Sequence, residues 1–146
     1  AMSLRMPKEI IWLSKSLECL EKGIEILSSI TEKNHNLEKL INLCKYIYCD
    51  VSTVKNIKRW YIAKTKLSIE QNKENAFKLL EEMKNIISDE RENVKATIPL
   101  TEADSRLGWE PSMEYIGHTP NLYWKLKQLD YVENVELVNL CEEYKR

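Results

Sequence analysis

The sequence predicts an all-α fold, an up-down antiparallel four-helix bundle with a long irregular loop before the last helix. Two observations carry this. Apolar residues recur at alternating intervals of three and four, which lines them up on one face of a helix. Helix breakers are segregated. Residues 8–98 contain no proline and only Gly23, whereas Pro99, Gly108, Pro111, Gly117 and Pro120 crowd together immediately after. No segment shows the two-residue alternation of a strand.

Each helix has its own signature. In the first, Ile10, Leu13, Leu17, Leu20, Ile24 and Leu27 form a heptad seam, and Pro7 suits its first turn, where a missing N–H is harmless. A polar turn follows over 31–36. The second helix carries Leu37, Leu40, Cys44, Ile47, Val51 and Val54 as its seam, which then shifts to Ile57 and Tyr61. Such a shift is expected when a long straight helix drifts against a 3.5-residue repeat. Asn72 is the expected N-cap of the third helix. Ala76, Leu80, Met83 and Ile87 mark its buried face. Its charged second half, 88–95, is expected to reach past the core, and Pro99 to end it. Thr119 and Pro120 then supply the N-cap and first turn of the fourth helix, with Leu122, Leu126, Leu129 and Val132 as its stripe.

Composition excludes several function classes. The chain has 146 residues, enough for one domain with a proper core. Its 22 basic and 23 acidic residues leave a net charge of −1, without the basic excess of a dedicated nucleic-acid binder. No apolar run is long enough to span a bilayer. The four cysteines, Cys19, Cys44, Cys49 and Cys141, form no CxxC pair, and with only two histidines no metal site is expected. Free thiols and the lack of a visible secretory segment favour the cytoplasm. Residues 1–6 read as a non-native remnant or as disordered, and 7–146 as a single bundle domain with its loop at 98–119.

No cofactor is indicated, since no glycine-rich nucleotide loop, nucleophile elbow or HExxH pair is present. The cluster of Lys55, Lys58, Arg59, Lys64 and Lys66 around Trp60 and Tyr61 reads as a solvated helix face with its aromatics turned inward. The informative stretch is the loop. Asp104, Arg106, Trp109, Glu110 and Tyr115 combine carboxylates with aromatic rings. Rings suit the apolar face of a pyranose, and carboxylates accept its hydroxyls. These residues are the candidate binding set, and carbohydrate is the candidate ligand. The packing alternative is equally concrete. Asp104 pairs with Arg106 or caps a turn, Gly108 takes a positive φ, and Trp109 plugs the end of the bundle.

A resemblance adds to this reading. Residues 96–100 (ATIPL) and 102–115 (EADSRLGWEPSMEY) resemble a segment near the C-terminus of large bacterial proteins similar to glycoside hydrolases. Those proteins have a hexosaminidase-like or α-glucuronidase-like barrel followed by a helical domain. Tyr46-Ile-Tyr, Asn56-Ile-Lys-Arg-Trp-Tyr and the stretch from Trp124 fit more loosely, so the likeness covers about residues 38–137. It implies that catalytic carboxylates sit on the barrel, so no catalytic residue is assigned to this chain.

Three functional readings follow. The first is a non-catalytic accessory domain that braces the catalytic domain of its own parent chain. The second is a stand-alone helical interaction or oligomerisation module, in which the heptad seams drive self-association. The third, the least favoured, is a small helical enzyme using Asp104, Glu110 and His118. None involves nucleic acid or a membrane.

Overall fold

The computed structural model of the chain describes residues 2–32, 34–110 and 115–145, with side chains over 5–32, 34–108 and 117–145. Most of it is helix: α1 (Met2–Ser28), α2 (His35–Leu67), α3 (Lys73–Ala103), α4 (Thr119–Tyr131) and α5 (Leu137–Lys145). A π-turn, Val132–Glu136, joins α4 to α5 without a break. The all-α class is as expected. Between α3 and α4 lies a minimal hairpin, β1 (Trp109–Glu110) antiparallel to β2 (Tyr115–Ile116).

Local chemistry explains the helix starts. Asn34 and Asn72 are extended N-caps whose side chains accept the Leu37 and Asn75 amides at 2.9 and 3.0 Å. The expected cap at Thr119 is corrected. His118 holds the N-cap position, and the Thr119 hydroxyl instead meets that of Thr101 at 2.8 Å. That contact ties the start of α4 to the end of α3. The expected end of α3 is corrected too. Pro99 lies inside the helix, which runs on to Ala103. Proline's φ is compatible with a helix, so the loss is one backbone hydrogen bond plus steric strain. Leu100 and Thr101, both buried, hold the extra turn against the fold. Pro7 likewise falls inside α1, which already includes Met2 to Met6.

The bundle is uneven. Its larger core joins Ala63 and Leu67 of α2, Ala76, Leu80, Met83, Ile86 and Ile87 of α3, and Leu137 of α5, with Trp60, Leu129 and Val132 packed on them. A smaller core joins Val94 and Ile98 to Leu122 and Leu126. By contrast, among its described side chains α1 has one that is buried, Leu17, and it packs mainly on α2. The other residues of its expected seam, Ile10, Leu13, Leu20, Ile24 and Leu27, are only partly buried, so α1 is held more weakly than its length suggests. Its one described ion pair to α2 is Glu9 with Lys58, at 2.7 Å.

Two seam expectations are corrected by the burial pattern. In α2 the buried residues are Ile41, Cys49, Asn56, Ala63 and Leu67, while Leu40, Ile47 and Val54 of the expected seam are exposed. The helix is turned because it must face α1 and α3 at once, and its α3-facing side carries polar groups. In α3 the charged half does not leave the core: Glu90, Val94 and Thr97 are buried.

The polar side of α2 meets Glu90. One carboxylate oxygen of Glu90 accepts the Asn56 amide at 2.8 Å, and the other accepts the Thr53 hydroxyl at 2.7 Å and the Lys125 ammonium. Asn93 donates to the Cys49 carbonyl at 2.8 Å and to Thr53 at 3.0 Å. Farther along, Arg59 reaches Asp89 and Glu82 at 2.6 and 2.8 Å. Ascending α2 from Cys49 to Arg59, the partners descend α3 from Asn93 to Glu82. The π-turn is tied down in the same manner. Arg91 donates to Asp130 and Glu133, and the Asn134 side-chain amide donates to the Asp130 carbonyl.

Removing the shared acceptor of such a network takes the Glu90 partner from one charged and two polar donors. Glu90→Ala is expected to lower the free energy of unfolding by about 3 kcal/mol, and Glu90→Gln by less, in urea denaturation. A loss in Glu90→Ala no larger than that of an exposed glutamate would contradict the locking role.

Candidate functional site

The irregular segment after α3 starts later than expected. It begins at Asp104, the C-cap of α3, and is closed by a neck between Gly108 and Gly117. The Gly117 amide donates to the Gly108 carbonyl at 2.6 Å. Gly108 has φ +78, and a Cβ there would lie 2.4 Å from the Gly117 carbonyl oxygen. Both the backbone angle and the close approach require glycine, as the sequence anticipated for the angle. In the hairpin above this neck, Trp109 faces Ile116 and Glu110 faces Tyr115 in register.

Of the candidate binding residues, Asp104 and Arg106 pair with each other. The guanidinium donates to both carboxylate oxygens, at 2.9 and 2.6 Å, and the Arg106 amide donates to Oδ1 at 3.1 Å. This is the packing alternative, a local turn lock. The fork of Arg106 and its backbone N–H hold the Asp104 carboxyl well below the usual carboxylate range. Both groups are therefore occupied in the folded loop. Trp109, Glu110 and Tyr115 are brought to one hairpin by their backbones, and their side chains lie outside the described residues, as do 111–114 entirely. The third reading grouped Asp104 with Glu110 and His118. Here Asp104 is committed to Arg106, and His118 Nδ1 is buried without a hydrogen-bond partner.

The basic cluster on α2 is also divided. Lys58 and Arg59 hold α1 and α3 through carboxylates, and Trp60 packs against the main core. Tyr61 instead faces solvent. Among the described residues no group of three or more His, Cys, Asp or Glu side chains could hold a metal ion. No helix there is long and apolar enough to cross a membrane.

Two concave features were not anticipated. A groove of about 680 Å³ runs between α1 and α3, floored by α2. A smaller cleft of about 280 Å³ opens between α2, α3 and the α4 arm. Its walls are Ile57, Trp60, Ile86, Ile87, Leu129 and Val132, and Asn56, Glu90 and Lys125 reach it from the polar network. A sequence signal for that network existed. Thr53 with Asn56, and Glu90 with Asn93, are polar pairs three apart in phase with buried positions. Apolar periodicity alone passes over such pairs.

Comparison with family models, with curated proteins and with solved structures returns no match.

The Asp104 carboxyl supplies a test of the loop lock. A carboxyl depressed in the folded state stabilises it above the unfolded value, and that contribution is lost as pH falls through the folded value. Its side-chain carboxyl carbon, followed by NMR, is expected to titrate well below 3.8, the ordinary aspartate value. Arg106→Gln is expected to bring it back up. An unshifted titration in the parent protein would remove the lock.

Proposed function

We propose that this chain is a non-catalytic helical accessory module that packs the outer face of α2 against a larger folded domain. The carrying observation is an apolar stripe left in water. Leu40, Leu43, Ile47, Val54, Ile57 and Tyr61 are between 38% and 62% exposed. Their spacing of three, four, seven, three and four places them on one face, over about 32 Å of helix. Contiguous exposed apolar surface on this scale marks an interaction site.

Asp50 bears on what covers it. It sits in the gap of the stripe, in phase with Ile47 and Val54, and is exposed. Two copies paired about the centre of the stripe would bring their Asp50 carboxylates together, a like-charge contact that disfavours symmetric pairing. A different protein surface, apolar with one cation opposite Asp50, has no such conflict. This favours the accessory reading over self-association. We read that surface as the catalytic domain of a carbohydrate-active enzyme, as the resemblance of residues 96–115 to the helical domain of glycoside-hydrolase-like proteins implies. In this reading the hairpin bearing Trp109, Glu110 and Tyr115 extends towards the same partner.

The test is to express the chain together with whatever its reading frame encodes on either side. In that longer protein the Leu43, Ile47 and Val54 methyl groups are expected to become shielded from a water-borne paramagnetic agent, while in the isolated chain they broaden. Unchanged accessibility, or a frame that encodes no further domain, overturns the proposal.

A further inference from the structure

The cleft between α2, α3 and the α4 arm has features that packing alone does not require. Its volume of about 280 Å³ approaches the size of small-ligand pockets. Its walls are aliphatic on three sides, with the Trp60 ring on a fourth. Water against such walls finds few hydrogen-bond partners and is readily displaced by an apolar group. One wall, Val132 to Glu136, is the π-turn, a geometry concentrated at functional sites.

The polar groups of the cleft are unequal. Glu90 is already engaged: three of its roughly four acceptor sites take donors from Thr53, Asn56 and Lys125. Its charge is also matched by Lys125, so a cationic ligand gains little there. Lys125 has three N–H groups and uses them on Glu90 and, at 3.5 Å, on Thr53, which leaves one. Its side chain is one-third exposed. Lys64 reaches the same cleft and makes no ion pair among the described residues. Glu136, on the same rim, disfavours a second negative charge on the ligand.

We propose that this cleft binds a small aromatic monocarboxylate, with its ring against Trp60, Leu129 and Val132 and its carboxylate shared by Lys125 and Lys64. The site is independent of the Asp104 loop and shares only Ile57 with the α2 docking face. A charge-assisted contact to either ammonium orients the acid, and the apolar walls supply most of the affinity.

A matched series tests it by methyl NMR titration of the full chain: indoleacetate, tryptophol and tryptamine, which share a ring and differ in the head group. Indoleacetate is expected to saturate at one per chain and to move the Ile86, Leu129 and Val132 methyl resonances. Tryptamine is expected to bind at least about ten-fold more weakly, with tryptophol between. Val132→Phe, which fills the cleft, is expected to abolish binding. Lys64→Gln, on the exposed rim, weakens it while the fold is untouched. Ile26→Gln, which removes exposed apolar surface on α1, leaves it unchanged. Tryptamine binding as tightly as indoleacetate, Lys64→Gln leaving the affinity intact, or no saturable shift at these methyls overturns the proposal.

Discussion

A single buried carboxylate sets the arrangement of this molecule. Glu90 lies at the place where α2, α3 and α4 meet, and each helix gives it a donor or carries it. Burying such a charge is unfavourable unless it is fully hydrogen-bonded. Its partners must therefore arrive together, and only one rotation of α2 and one position of α4 allow that. Asn93, bonded to Thr53 and to the Cys49 carbonyl, extends the same constraint along α3. The apolar cores on either side of the network then fill the space that this alignment leaves. Packing supplies most of the stability, whereas the network selects the register.

The uneven surface follows from that choice. Turning the polar side of α2 towards α3 carries Leu40, Ile47, Val54 and Tyr61 to the outside. Among the described residues nothing covers them, because α1 packs on a neighbouring face. The same geometry leaves the cleft, walled by Ile57 and Trp60 of α2 and by Leu129 and Val132 of the α4 arm, with Lys125 at its edge. Chemical potential for binding thus lies on α2 and in the cleft. In the loop, Asp104 and Arg106 satisfy each other.

Much of the fold was legible in the residues, and the reasons are local. Three-and-four spacing and the segregation of proline and glycine are enough to reveal the long helices and the break before α4. Asn72 as a cap and the positive φ of Gly108 were readable because each depends on one residue's own chemistry. Pro99 misled because a proline marks a helix end only when the turn beyond it lacks tertiary support, and Leu100 and Thr101 have that support. The α2 seam misled for a deeper reason. Apolar periodicity assumes that the buried face is the apolar face, and here Asn56 and Thr53 are drawn inward by a glutamate far along the chain. The candidate site was partly legible. The Asp104–Arg106 pair is a short-range contact, whereas the cleft is assembled from α2, α3 and α4 and has no signature within any one of them.

Native-state hydrogen exchange under increasing denaturant tests the central claim most directly, that the Glu90 network binds α2, α3 and α4 into one cooperative unit with α1 attached more weakly. The account predicts that amides around Thr53, Glu90 and Lys125 exchange only through global unfolding and converge on one isotherm. Amides of α1 are predicted to open earlier, through a smaller sub-global event. Exchange of α4 before α1, or a single isotherm that includes α1, would contradict it.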